Sequence, residues 1–162
     1  MRIPAVLMSA GYLAAALMTS SARADTDASG ATVIPAARDV AWQPGPQDFP
    51  KSVKYAVLYG DPAKDGPFAI RVMMPPHTLF PLHTHSMDEM LTVVSGSFVH
   101  YIGPDMQHAS ARTMGAGGFV VLPKGVAHAL ETRNASMVAE VVGRGPFGMT
   151  YVNATHMPPT GH

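Results

Sequence analysis

Two short segments constrain this chain more than anything else in it. His83-Thr84-His85-Ser86-Met87-Asp88-Glu89, followed by Gly96, offers two imidazoles and a carboxylate within one span. Pro123-Lys124-Gly125-Val126-Ala127-His128 adds a third imidazole behind a turn. Three neutral imidazoles and one carboxylate can hold a divalent metal and leave positions open for water or substrate. Any fold for this chain has to bring two segments far apart in sequence onto one point.

The bulk numbers favour a β architecture. The chain has 162 residues, 15 of them glycine and 15 proline, with charged residues at only 14%. That length suits one domain with a sizeable core. Many turns and few charges suit an all-β domain better than a helical bundle. Basic and acidic residues balance at 11 each, and no Lys/Arg cluster follows one face, so no nucleic-acid partner is expected. With no cysteine, neither a disulfide framework nor a thiolate metal site is available.

Residues 1–24 read as a cleaved secretory signal. Arg2 supplies the positive start, an apolar stretch runs from Ile3 to Met18, and Ser21-Ala22-Arg23-Ala24 ends in a small-x-small pattern. The apolar run falls short of the roughly 20 residues a membrane span needs. A periplasmic or secreted protein without a membrane anchor is therefore expected. No twin-arginine pair is present, so the chain is expected to cross unfolded and take its metal outside the cytoplasm. Residues 25–50 are expected to be a flexible leader and an extended arm, 51–155 the folded domain, and 156–162 a tail. Trp42-Gln43-Pro44-Gly45-Pro46 cannot be helical, and Trp42 and Phe49 are candidate anchors of the arm onto the core.

Strand-like runs with turn chemistry at their ends fill the domain. They cover Val53–Tyr59, Phe68–Met74, Glu89–Val94, Phe98–Ile102, Phe119–Leu122, His128–Thr132, Met137–Val142 and Phe147–Val152. Short strands at such spacing predict a sandwich or barrel. Asp105–Thr113 is the one helical candidate. On a strand, residues two apart share a face, so His83 and His85 project to the same side. Glu89 then returns from the neighbouring strand. Gly96 provides a backbone position that tolerates positive φ, and the Pro123–Gly125 turn can re-aim the chain so that His128 faces inward.

These segments resemble the two motifs of the cupin superfamily. The first has the form G-x5-H-x-H-x3,4-E-x6-G; here His77 occupies the leading glycine position and His83, His85, Glu89 and Gly96 fit. The second has the form G-x5-P-x-G-x2-H-x3-N; here Gly117, Pro123, Gly125 and His128 fit, and Thr132 replaces the asparagine. The resemblance implies a jelly-roll β-barrel, with His83, His85, Glu89 and His128 as ligands of one divalent transition metal. Imidazole suits iron, nickel, copper and zinc, and the carboxylate also admits manganese. The arm and the Gly60–Phe68 segment look similar to small single-domain bacterial cupins.

Other residues compete for roles around the site. Asp88 is a rival carboxylate, disfavoured because Glu89 has the longer stem and the matching spacing. His100 shares a face with Phe98 and Ile102; if that face points inward, His100 stands beside the metal as partner or acid/base. If Val99 and Tyr101 point inward, Tyr101 takes that place. His77 is either a loop residue or part of the cavity mouth. Met73, Met74, Met87 and Met90 serve better as gap-filling core than as copper ligands. Arg71 and Arg112 are either salt-bridging surface residues or grips for an acidic substrate.

Two readings of function follow. The first is a mononuclear metal-dependent enzyme, dioxygenase-like, with Glu89 and either His100 or Tyr101 as catalytic groups, acting on a small organic substrate of aromatic or enol type in an apolar cavity. Isomerase and lyase chemistries suit the same site. The second is a non-catalytic periplasmic module that binds a metal or small molecule. A seed-storage-like role fits poorly with the small size and export. A homodimer is expected, because barrel edges tend to be paired or hidden.

Overall fold

The computed structural model describes residues 25–26, 28–106 and 109–152. The expected signal peptide and the 156–162 tail lie outside the described residues. The strands are β1 (Asp25–Thr26), β2 (Thr32–Val33), β3 (Gln43–Pro44), β4 (Lys54–Tyr59), β5 (Gly66–Met74), β6 (Leu79–His85), β7 (Glu89–Ile102), β8 (Ser110–Gly115), β9 (Phe119–Leu122), β10 (His128–Glu131), β11 (Met137–Gly145) and β12 (Met149–Tyr151). β1 and β2 pair only with each other. The remaining ten form one antiparallel sheet in the order β12-β6-β10-β7-β11-β5-β4-β3, with β8 and β9 also paired to β7. The sheet curls on itself into a jelly-roll barrel.

β7 makes the curl. It runs 14 residues and belongs to both walls of the barrel. Its first half pairs with β9 and β11, its second half with β8 and β10. The change of wall falls at Gly96, where φ is +71°, two residues after the register against β11 skips Val94 between Val138 and Ala139. A Cβ on Gly96 would collide with the Ser136 carbonyl oxygen, so the close crossing requires glycine. The sequence reading ended one strand here and began another. The ladder instead passes through, because the bulge bends the strand without breaking its pairing.

Period-two alternation builds the core. Phe68, Ile70, Val72 and Met74 of β5 face Met137, Ala139 and Val141 of β11, Leu91 and Val93 of β7, and Leu130 of β10. Their outward neighbours are half-buried or exposed, as with the Arg71–Glu140 pair at 3.0 Å. In the arm, Gln43 pairs with Tyr55 and Phe49 is buried against Phe80 and Tyr55. Trp42 is only half-buried, so Phe49 is the anchor.

The helical reading of Asp105–Thr113 is wrong for its second half. Ser110–Gly115 is strand β8, paired residue for residue with Ser97–Ile102. All its side chains are exposed or half-buried, so no apolar period marks it; the ladder with β7 and the packing of Met114 against the core hold it. Among the described residues the one helical element is the three-residue 3-10 turn Ala37–Asp39.

Both departures from the motif frame have a structural answer. His77 keeps the left-handed conformation of the glycine it replaces, at φ +57°, and its N–H donates to the Arg133 carbonyl at 2.8 Å. Thr132 is buried, donates its hydroxyl to the Pro75 carbonyl at 2.6 Å and accepts the Thr78 N–H at 2.9 Å. It thereby ties the end of β10 to the turn that launches β6. Thr132→Val keeps the shape and strands a buried N–H and a buried carbonyl. It is expected to cost about 2–4 kcal/mol, read from the denaturant midpoint at unchanged m-value.

Candidate metal centre

Three strands deliver the site. His83 and His85 lie on β6, Glu89 opens β7 and His128 opens β10. The register sets His128 directly opposite His83 on β6. The Pro123–Gly125 turn is fastened to the first motif twice. The Lys124 N–H donates to Asp88 Oδ1 at 2.8 Å, and the Gly125 N–H donates to the His85 carbonyl at 3.0 Å. Asp88 thus holds the two motifs together, and its carboxylate is spent on that bond.

The four side chains converge inside the barrel and all are buried. Ligand atoms of His83, His85 and His128 lie within 4.8 Å of one another. Glu89 Oε2 stands 3.7 Å from His85 Nε2 and 3.5 Å from His128 Nε2. These separations are too long for strong hydrogen bonds. Among the described residues, three buried polar atoms have no hydrogen-bond partner: Glu89 Oε2 and His128 Nε2, which face the cluster, and His100 Nδ1 behind it. Buried polar atoms in that condition are rare and costly. A divalent cation with bonds of about 2.0–2.2 Å to nitrogen and oxygen would satisfy the first two together. The three imidazoles could hold a metal ion, and Glu89 Oε2 stands beside two of them.

Hydrogen bonds behind the rings fix their tautomers. His83 Nδ1 donates to the Pro81 carbonyl at 2.6 Å, and His85 Nδ1 to the Gly148 carbonyl at 3.3 Å. A carbonyl only accepts, so Nδ1 carries the proton and Nε2 keeps its lone pair for a metal. His128 Nδ1 lies 2.9 Å from His100 Nε2. For His128 to ligate through Nε2, its Nδ1–H donates to His100, and the His100 proton sits on Nδ1. Phe147 stacks on the His85 ring at 4.4 Å and 17°.

Burial dominates the electrostatics. Desolvation pulls His83 down to about 3, and His85 and His100 to about 4. It pulls His128 well below its ordinary value, with the neighbouring imidazoles adding to the effect. The same burial pushes Glu89 up to about 8. At neutral pH the metal-free cluster is uncharged: three unprotonated rings and a protonated carboxyl. A cation held there would favour the Glu89 carboxylate over its protonated form.

A family model, the cupin domain, matches residues 70–142. That span contains both motifs and all four converging side chains. The chain thus carries a cupin domain over these residues. No curated protein matches it by sequence. Solved structures share its fold. The polyketide cyclase RemF from Streptomyces resistomycificus superposes with a TM-score of 0.67 at 18% identity, over 79% of this chain and 90% of that one. The DMSP lyase DddQ from Ruegeria pomeroyi gives 0.57 at 23%, over 69% and 60%. Oxalate decarboxylase from Bacillus subtilis, described with Mn(II) centres, gives 0.50 at 18%, over 61% and 27%.

Within this cupin, the strand phase left open between His100 and Tyr101 resolves in favour of His100. His100 is buried beside His128, whereas Tyr101 faces outward and donates its hydroxyl to Glu131 at 2.8 Å. His77 sits at the opposite end of β6, in a surface cleft with Glu131 and Arg133. Arg71 pairs with Glu140, and Arg112 is exposed. Met74 is core, whereas Met90 is exposed on the outer face. Sequence reasoning missed Phe147 over His85 and the carbonyls of Pro81 and Gly148. Backbone acceptors leave no side-chain signature, and Phe147 is set by a loop.

The shifts imply a specific pH dependence. Glu89 has a raised folded pKa, so the unfolded chain binds fewer protons, and its contribution to stability falls as pH rises from about 4.5 to about 8. The four histidines have lowered values, so their contribution falls as pH drops below 6.5. Four unfolded histidines outweigh one buried carboxyl until they are about three-quarters deprotonated, so the metal-free protein is expected to have its highest melting temperature near pH 7. Divalent metal should remove the decline between pH 7 and 8, because the carboxylate form is then the bound one. Calorimetric scans with and without metal across pH 5–9 check this.

Proposed function

We propose that this cupin is a mononuclear metal-dependent enzyme, in which His83, His85, His128 and Glu89 hold one divalent ion of iron, manganese, copper, nickel or zinc. The observation that carries the reading is the pair of buried, partnerless atoms, Glu89 Oε2 and His128 Nε2, inside a cluster of unprotonated imidazoles. When bound, the metal supplies a Lewis acid and, if redox-active, electrons for dioxygenase-like chemistry. The Mn(II) centres of oxalate decarboxylase support keeping manganese in the set. The related folds carry a cyclase, a lyase and a decarboxylase, so fold alone selects no reaction.

The chain's own residues divide the remaining work. The Pro81 and Gly148 carbonyls orient His83 and His85. Among the described residues Glu89 is the one carboxyl lining the cavity, and in its ionised form it is the group placed to take a proton from a bound substrate. His100 does not line the cavity; it acts through His128, as a positioning residue. The other lining groups, among them Ile70, Leu91, Val141 and Phe147, are apolar and keep water scarce. Export through residues 1–24 and assembly as a homodimer belong to the same proposal.

A second reading, a non-catalytic metal-binding module, is favoured because, among the described residues, no polar group lines the cavity besides the four converging ones. Elemental analysis of the purified protein is expected to find one divalent metal per chain, and His128→Ala to retain less than a tenth of it. Wild-type occupancy in that variant would sink the site. His100→Ala is expected to weaken metal binding about 10–100-fold, measured by chelator competition. Oxygen uptake with small organic substrates separates the two readings: none with any metal leaves the binding module.

A further inference from the structure

Two phenylalanines that come from loops line the space beside the cluster. Phe49 stands on the 45–53 connection between β3 and β4, and Phe147 on the connection between β11 and β12. Both line the cavity with His83, His85, Glu89 and His128. Phe147 lies flat over His85 and packs on Phe68 at 5.3 Å. Phe49 meets Phe80 edge-on at 4.9 Å, and Phe80 rests on the His83 ring at 4.8 Å. The two loop residues thus close on the cluster through different histidines.

Both loops are pinned. The Phe147 N–H donates to the Pro62 carbonyl at 2.7 Å. Ser86 Oγ donates to the Pro146 carbonyl at 3.0 Å and accepts the Gly148 N–H at 2.9 Å. On the other side, the Phe49 N–H donates to the Pro46 carbonyl at 2.9 Å, and the Tyr151 hydroxyl donates to the Asp48 carbonyl at 2.6 Å. The stoppers are therefore part of the folded framework.

The free volume they leave is about 30 Å³. That is room for about two water molecules, whereas an apolar cavity of about 150 Å³ is what accepts benzene. An aromatic or enol-type substrate, expected from the apolar composition of the wall, does not fit this volume. Three neutral imidazoles, one carboxylate and a divalent ion leave one net positive charge. We propose that Phe49 and Phe147 set the size limit of the site, which admits oxygen-donor ligands of formate size and excludes aromatic acids. This rests on the metal-site reading above.

The test uses the mature protein loaded with cobalt(II), with its visible spectrum titrated by formate, acetate and benzoate. Formate is expected to perturb the cobalt bands, and benzoate to need at least a tenfold higher concentration. Phe49→Ala and Phe147→Ala are each expected to lower the benzoate-to-formate ratio of dissociation constants at least tenfold, with Phe→Leu intermediate. Benzoate binding the wild type as well as formate would overturn the size limit and leave the metal site standing. Failure of cobalt to bind would overturn both. The wild-type series decides the size limit even if a variant does not fold.

Discussion

Burying four ionisable groups around one point is the constraint on which the rest of this barrel depends. Two ring nitrogens find carbonyls, a third finds another imidazole, and Glu89 Oε2 and His128 Nε2 find nothing. Nothing in the apolar wall compensates them, so the metal-free fold keeps the rings unprotonated and the carboxyl protonated. That arrangement is affordable because the frame is rigid elsewhere. Fifteen buried apolar residues form one cluster across both walls, and the crossing of β7 at Gly96 locks those walls together. The barrel supplies the stability that the unsatisfied cluster consumes.

The frame and the cluster are coupled through backbone hydrogen bonds. Gly125 donates to the carbonyl of His85, and the Gly148 carbonyl accepts from the His85 ring. Asp88 fastens the second turn to the first. Each motif therefore carries residues that position the other motif's ligand, which is a physical reason for the Pro-x-Gly spacing ahead of His128. Thr132 does the same at the opposite end of β6. Its hydroxyl both donates and accepts, so it bonds to the launching turn as a side-chain amide would.

Much of this was legible in the sequence because the signals were local. Spacings of two and four residues placed His83, His85 and Glu89, and turn residues punctuated most strands; β9 runs from Phe119 to Leu122 as read. Failures fell where side chains carry no information. β8 buries no residue fully and packs only Met114 on the core, so its ladder with β7 is what marks it. The phase of Phe98–Ile102 was open because both alternations contain an aromatic and a polar group, and only burial against β10 decides for His100. Leu79–His85 was used as a strand without having been recognised as a run, because Pro81 interrupts its pattern.

Cavity size is the property furthest from the sequence, and it weighs most on function. The apolar lining was readable, and it suggested an aromatic ligand. Composition fixes the polarity of a wall, but volume depends on how far loop residues reach across it. Phe49 and Phe147 are separated by most of the barrel in sequence, and each is held by hydrogen bonds made by its loop backbone. A neighbouring fold with the same strands and shorter or retracted loops would present the same ligands to a far larger substrate. Strands position the converging side chains, and loops contribute the rest of the wall around them. Divergent chemistry among the related folds is the expected result of that division.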